Sequence, residues 1–563
     1  MRKKVLIACL ISLCLLGVPL VGNVLAQDAS PTTSPSPTLT SPSPDTTLVS
    51  PSPTATTSPT VSPTATTSPT ASPTDSPTPT PTPTASSVPG SVPGTNSTPT
   101  AEPTTASPAP ADTISAADAK TAADNAQSAA DTAWMLVSSA LVLLMTPGLA
   151  FFYGGLVKGR NVLNTMMMSF VLMGIVGVTW VLWGYSLAFS NAYTEVAGGA
   201  NQIQANPLIG NLNWLFLNNV AYDKPDPIGY AATIPHQVFM VYQLMFAIIT
   251  PALISGAIVE RMSFKAYFWF VLLWSTFIYS PLAHWVWGKG WLGAMGALDF
   301  AGGTVVHISS GVSAVVAAWV IGPRKNFTVT PHAPHNVPYV LLGIGLLWFG
   351  WFGFNGGSAL ASGALATVAF VATMVSACAG GLMWVILEWV LRGKPTAIGI
   401  ASGFLAGLVG ITPAAGFVTP GYAILIGFIT SVCCFFAVSW RAKLQFDDSL
   451  DTFPIHGVGG TVGALLTALF ATNAVNKIKD ASGNVIPLGL VDGNAGQLVT
   501  QFIGVAATYV FAAVGTFVIL KGLSLVMDLR VKPVAEDQGL DINEHGEEGY
   551  GDEFASGLSF KGE

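Results

Sequence analysis

The chain has 563 residues, of which 51% are hydrophobic and only 9% are charged. Soluble domains carry about 25% charged residues, so the composition argues against a water-soluble enzyme, and a net charge of −7 leaves no basic surplus for nucleic acid. The acidity is local: residues 522–563 hold ten acids and three bases, and the remainder is balanced.

Arg2-Lys3-Lys4 followed by an apolar run reads as a signal segment over 1–26, with cleavage expected after Val24-Leu25-Ala26. Residues 27–115 are mostly Pro, Ser, Thr and Ala; 21 of the 39 prolines fall between Pro31 and Pro110, and residues 52–60 recur at 62–70. Such a stretch has too little apolar surface to offset chain entropy, so a disordered extracytoplasmic segment is expected. The five cysteines form no CxxC or Cys/His pattern with zinc spacing, and no cofactor is implied.

A bilayer span needs about 20 apolar residues. Eleven spans are predicted, near 133–155, 165–189, 235–258, 266–287, 303–321, 337–355, 365–391, 397–412, 421–440, 456–472 and 498–521; the eighth and tenth are short and Gly-rich. With the first span entering from outside, fourteen Lys and Arg fall in cytoplasmic loops and tail, against four (Lys224, Lys289, Lys477, Lys479) in external loops. This bias sets the N-terminus outside and the acidic tail in the cytoplasm of a multi-pass protein in the plasma (inner) membrane.

Phe152-Tyr153-Gly154-Gly155 closes the first span and Phe354-Asn355-Gly356-Gly357 the sixth. His307 and His456 open the fifth and tenth, each with Gly four residues later (Gly311, Gly460). Two halves of five spans have opposite orientations, so an inverted five-plus-five repeat plus one extra helix is expected. An ionisable side chain at membrane depth usually faces a cavity or a partner. His307 and His456 therefore read as a facing pair, as two histidines each bonded to a backbone carbonyl, or, less readily without a nearby Cys or carboxylate, as metal or haem ligands. Asp299, just before the fifth span, reads first as a helix cap. Phe246, Trp287, Trp351 and Phe354 neighbour Gly and polar residues, and an aromatic cup with a hydroxyl such as Ser358 suits a small cation that donates hydrogen bonds.

From about residue 130 the chain resembles the ammonium transporter family (Amt/Mep/Rh), in its bacterial Amt branch. The resemblance rests on Pro147-Gly148-Leu149-Ala150-Phe151-Phe152-Tyr153-Gly154-Gly155, Ala283-His284-Trp285-Val286-Trp287-Gly288, Ala297-Leu298-Asp299 and the stretch to His307, Gly350-Trp351-Phe352-Gly353-Phe354-Asn355, Leu391-Arg392-Gly393-Lys394-Pro395, His456-Gly457-Val458, and Gly539-Leu540-Asp541-Ile542-Asn543-Glu544-His545-Gly546-Glu547 in the tail. It implies a membrane domain over 116–526, a cytoplasmic tail over 527–563, and a homotrimer with one pore per protomer. It further implies an external ammonium site of Phe246, Trp287 and Ser358, a gate of Phe246 and Phe354, a pore lined by His307, His456 and Trp351, and support from Asp299. Tyr242 stands where relatives often carry Phe. By propensity the tail is a solvated acidic end; the resemblance implies instead a docked tail with Gly539, Leu540, Asp541, Asn543, His545, Gly546 and Glu547 as its regulatory residues, and a PII-type signal protein as a partner. Methylammonium would be a substrate analogue, and lipid the surrounding solvent. An ammonium sensor, a sodium-coupled carrier and a Rhesus-type gas channel are the competing readings; without an HExxH motif or a Ser–His–Asp arrangement, an enzyme is least expected.

Overall fold

The computed structural model describes residues 115–550, apart from 197–200, 326, 328–332, 445 and 481. The expected signal segment, nearly all of the Pro/Ser/Thr segment and the tail from residue 551 lie outside the described residues.

Helices dominate. Among the described residues ten are long and apolar enough to cross a membrane: α1 (Ala116–Leu156), α2 (Gly159–Phe189), α3 (His236–Ser255), α4 (Phe264–Ala294), α5 (Gly303–Ile321), α6 (Val337–Ala359), α7 (Ala364–Arg392), α9 (Pro420–Leu444), α10 (Phe453–Phe470) and α11 (Gly496–Ser524). Between α7 and α9 lies α8 (Ala397–Ile411), a 15-residue apolar helix where the eighth span was expected. Its length is below a full crossing at 1.5 Å per residue. Its glycines explain why the sequence can place a short helix there. A Cβ on Gly403 would lie 2.5 Å from the Trp384 side chain, and one on Gly407 2.3 Å from the Ser376 carbonyl, so α8 sits backbone-close on α7. α1 begins well before the expected span. Ser115 caps it by accepting the Asp118 N–H, and buried Asp131 ties its outer part to the α6–α7 loop by accepting the Ser362 N–H and O–H. The one sheet among the described residues is a short antiparallel hairpin, Ala192–Thr194 with Gln202–Gln204, in the outer α2–α3 loop.

The two halves meet through glycine. α1 and α6 pack antiparallel: Gly155 at the end of α1 lies against the start of α6 at Asn336, while Gly353 near the end of α6 lies against Ser138. The fifth and tenth helices are related in the same way. A Cβ on Gly311 of α5 would fall 2.3 Å from the Gly457 nitrogen of α10, and one on Gly460 of α10 would fall 2.8 Å from the Gly303 carbonyl of α5. Both helices also open with a π-helical turn, Gly303–Ile308 and Phe453–Gly457.

Contrary to propensity, the tail is docked from 533 to 550. Gly539 takes φ +114° and approaches the Arg160 carbonyl so closely that a Cβ would sit 2.6 Å from it. Leu540 is fully buried and its N–H donates to Asn161 Oδ1. Asp541 accepts the Leu163 and Asn164 N–H groups and so satisfies donors left over at the start of α2. Asn543 donates to the Gly539 carbonyl, the His545 ring packs 4.7 Å from Phe264, Gly546 takes φ +70° and Glu547 is exposed.

Candidate functional site

Two cavities enter the bundle from opposite ends. One, on the side expected to be external and called the outer cavity for that reason, has about 470 Å³ and is lined by Tyr230, Tyr242, Phe246, Trp287, Lys289 and Ser358 among others. The inner one, about 400 Å³, includes Arg324, Asp451 and His456. Between them lies a constriction with only about 10 Å³ of room, walled by Leu149, Val306, His307, Trp351, Phe354 and His456 with other apolar side chains. His456 thus lines both the constriction and the inner cavity.

The sequence-predicted residues come together along this line. Phe246 packs against Phe354 at 4.4 Å between ring centroids, the rings tilted by 41°, and meets Trp287 edge-on at 5.9 Å, forming the floor of the outer cavity. The Ser358 hydroxyl donates to the Phe354 carbonyl at 2.8 Å, which leaves its oxygen lone pairs for another donor. The Tyr242 hydroxyl lies 2.9 Å from the Gly353 and Phe354 carbonyls and 3.2 Å from Ser358 Oγ, so this tyrosine holds the last turn of α6 under the cavity.

Below that floor, His307 and His456 face each other. Their Nδ1 atoms are 3.2 Å apart and the rings are nearly parallel, at 22°. A nitrogen–nitrogen hydrogen bond needs one donor and one acceptor, so one ring carries its proton on Nδ1 and the other offers a lone pair there. The two Nε2 atoms then differ too, one an acceptor and one a donor. His307 Nε2 is buried with no hydrogen-bond partner among the described residues, and Trp351 lies flat beside the ring at 5.4 Å. Trp351 is fixed by donating to Thr412 Oγ1 at 2.9 Å. Of the three readings for the histidines, the facing pair is the one found. Among the described residues no three His, Cys, Asp or Glu side chains cluster to hold a metal.

Asp299 is the cap expected of it. Its carboxylate accepts four backbone N–H groups, from Gly302, Gly303, Thr304 and Val305, at 2.7–3.1 Å. Its own carbonyl accepts the Trp287 indole N–H at 2.9 Å. One residue thereby sets the start of α5 and the aromatic wall of the outer cavity. Sequence reasoning missed its counterpart. Asp448 accepts the Thr452 and Phe453 N–H groups at the start of α10. The signal was present: Asp448 precedes His456 by the same interval that separates Asp299 from His307. His236 and His284 also went unread. His236 bonds the Tyr185 hydroxyl, and His284 lies between the Ala188 and Asn206 carbonyls, so both fix the outer loops.

A helical membrane bundle with two vestibules joined by a constriction lined with imidazole and aromatic rings has the architecture of a transporter for a very small solute. The family model described as Ammonium Transporter Family matches residues 133–550. An ammonium transporter of Bacillus subtilis is 49% identical over 423 residues, 75% of this chain and 98% of that protein; one of Aquifex aeolicus is 47% identical over 422 residues, 75% and 93%. The solved structure of Saccharomyces cerevisiae Mep2 superposes with TM-score 0.64 at 36% identity, covering 72% of this chain and 87% of that one. A protein described as a sensor Amt protein gives 0.65 at 29% identity, covering 75% and 99%. The chain belongs to the ammonium transporter family.

Proposed function

We propose that this multi-pass ammonium transporter recruits ammonium in the outer vestibule, strips its proton at the aromatic floor and passes ammonia along the histidine pair. Trp287 and Phe246 offer ring faces to a cation, a contact of about 0.5–2 kcal/mol, and Ser358 Oγ offers an acceptor. Potassium matches ammonium in charge and nearly in size, but it donates no hydrogen bond and has no proton to lose. The constriction is nearly dry and apolar, where an intact ion is heavily penalised. Neutral ammonia escapes that penalty and meets the unpartnered Nε2 of His307. The shared proton of the pair gives a separate path for the one released.

The observation that carries this reading is the His307–His456 contact, set between two vestibules and below the Phe246–Phe354 pair. The double variant His307→Ala, His456→Ala is expected to change methylammonium uptake or its sensitivity to potassium competition in liposomes while the protein still folds. Unchanged rate and selectivity would overturn the pore assignment. By family resemblance the working assembly is a homotrimer in the plasma (inner) membrane, with its N-terminus outside and its tail in the cytoplasm. The tail docked on the α1–α2 loop and on the start of α4 supports a regulatory role, with a PII-type protein as the partner at that face.

A further inference from the structure

We propose that Lys289 is a tethered cation that competes with ammonium for the outer vestibule and sets its apparent affinity. This rests on the reading of that vestibule as the recruitment site. Among the described residues lining the cavity, Lys289 is the only one with a formal charge, and the charge has the sign of the substrate. Its Nζ lies 5.7 Å above the Tyr230 ring, so a primary alkylammonium already occupies an aromatic face of the cavity meant for ammonium. Among the described residues Lys289 makes no ion pair that would cancel its charge. Its backbone is also unusual. Lys289 sits between Gly288 and Gly290 with φ +68°, a conformation glycine adopts without strain and lysine does not. An exposed cation without an ion pair, held by strained backbone at the mouth of a cation site, points to a role there.

The chemistry sets the direction. Like charges sharing a vestibule repel, and salt screens the repulsion over about 10 Å at 0.1 M. Uptake of labelled methylammonium into proteoliposomes, at low and high ionic strength, tests this with Lys289→Gln, Lys289→Gly and Lys289→Arg. The two neutral variants are expected to lower KM about two- to fivefold at low salt, with Vmax moving less, and the gap is expected to close at high salt. Lys289→Arg is expected to keep the native KM. A Gln variant with native KM at low salt, or an Arg variant that follows Gln, overturns the proposal. Ser358→Ala is measured alongside: if it raises KM while Lys289→Gln changes nothing, only the tethered-cation idea falls, and if neither moves KM, the vestibule reading falls with it.

Discussion

Ser358 presents a hydroxyl on the vestibule wall whose proton is committed to the Phe354 carbonyl, which leaves lone-pair capacity for the substrate, while Tyr242 secures the same turn. A hydrogen bond to a charged group contributes about 1.5–3 kcal/mol. Ser358→Ala is therefore expected to raise KM by about tenfold, a difference of about 1.4 kcal/mol, with Vmax changing less; equal losses in both, measured by initial uptake rates over a range of methylammonium, would move Ser358 from recruitment to conduction. At this scale the histidines were legible because an imidazole in an apolar span needs a reason, and Asp299 because a carboxylate before a span caps it. The Tyr242 hydroxyl was not. Nothing in the chain near residue 242 announces that the backbone of residues 353 and 354 folds back beside it.

At the scale of elements, the histidine pair exists because α5 and α10 touch backbone to backbone. The two glycines that permit this are not equivalent. A Cβ on Gly311 would meet the Gly457 nitrogen and Cα at 2.3 and 2.5 Å, which are immovable backbone atoms. A Cβ on Gly460 would meet the Gly303 carbonyl at 2.8 Å and the His307 Cβ at 3.0 Å. Overpacking of this kind costs about 1–3 kcal/mol or more, so Gly311→Ala is expected to lower the melting temperature in detergent more than Gly460→Ala. Gly174, whose added Cβ meets nothing within 4 Å, serves as the control; Gly174→Ala is expected to be neutral or to gain up to about 1 kcal/mol of helix propensity. The reverse order of melting temperatures would contradict the described crossing. The sequence showed the matched His and Gly spacing, which sufficed for two antiparallel halves. It also showed the eighth span as short and Gly-rich, 397–412 against the observed Ala397–Ile411; what it could not show is the backbone contact with α7 at Gly403 and Gly407, because hydropathy counts apolar residues and not close approaches.

At the scale of the whole molecule, five separate chain segments are joined at the tail end of the bundle by one cluster. Arg324, after α5, donates to Glu260 of the α3–α4 loop and, through three nitrogens counting its backbone, to Asp447 of the α9–α10 loop. Glu260 also accepts the Lys158 N–H and the Asn161 amide, Arg261 bonds the Asp447 carbonyl, and the tail joins through Glu536, which accepts the Lys325 N–H and pairs with Arg530. Burial alone would raise both carboxylates, but Arg324 and the surrounding donors outweigh it and hold Glu260 and Asp447 below their ordinary values of 4.5 and 3.8. A depressed carboxylate contributes stability that is present above its unfolded value and lost as pH falls through the folded one. The native protein is therefore expected to keep this contribution at pH 5–8 and to lose it progressively below 4.5 for Glu260 and below 3.8 for Asp447. Arg324→Ala weakens the pattern. With the guanidinium gone, burial is opposed at Glu260 only by the Lys158 N–H and the Asn161 amide, and at Asp447 by Arg261 and the backbone N–H of position 324, so both carboxylates titrate higher than in the native protein. The variant should lose up to about 3–5 kcal/mol, the usual cost of breaking a buried pair from one side, at pH 8, and its deficit against the native protein should shrink as pH falls below 4.5. The inner vestibule lies beside this cluster and shares Arg324 with it. Loss of the clamp is thus expected to free the tail as well, read as faster hydrogen exchange or proteolysis across 533–550; a variant with unchanged melting at pH 8 and a tail protected as before would show that the cluster does not hold this end of the bundle together.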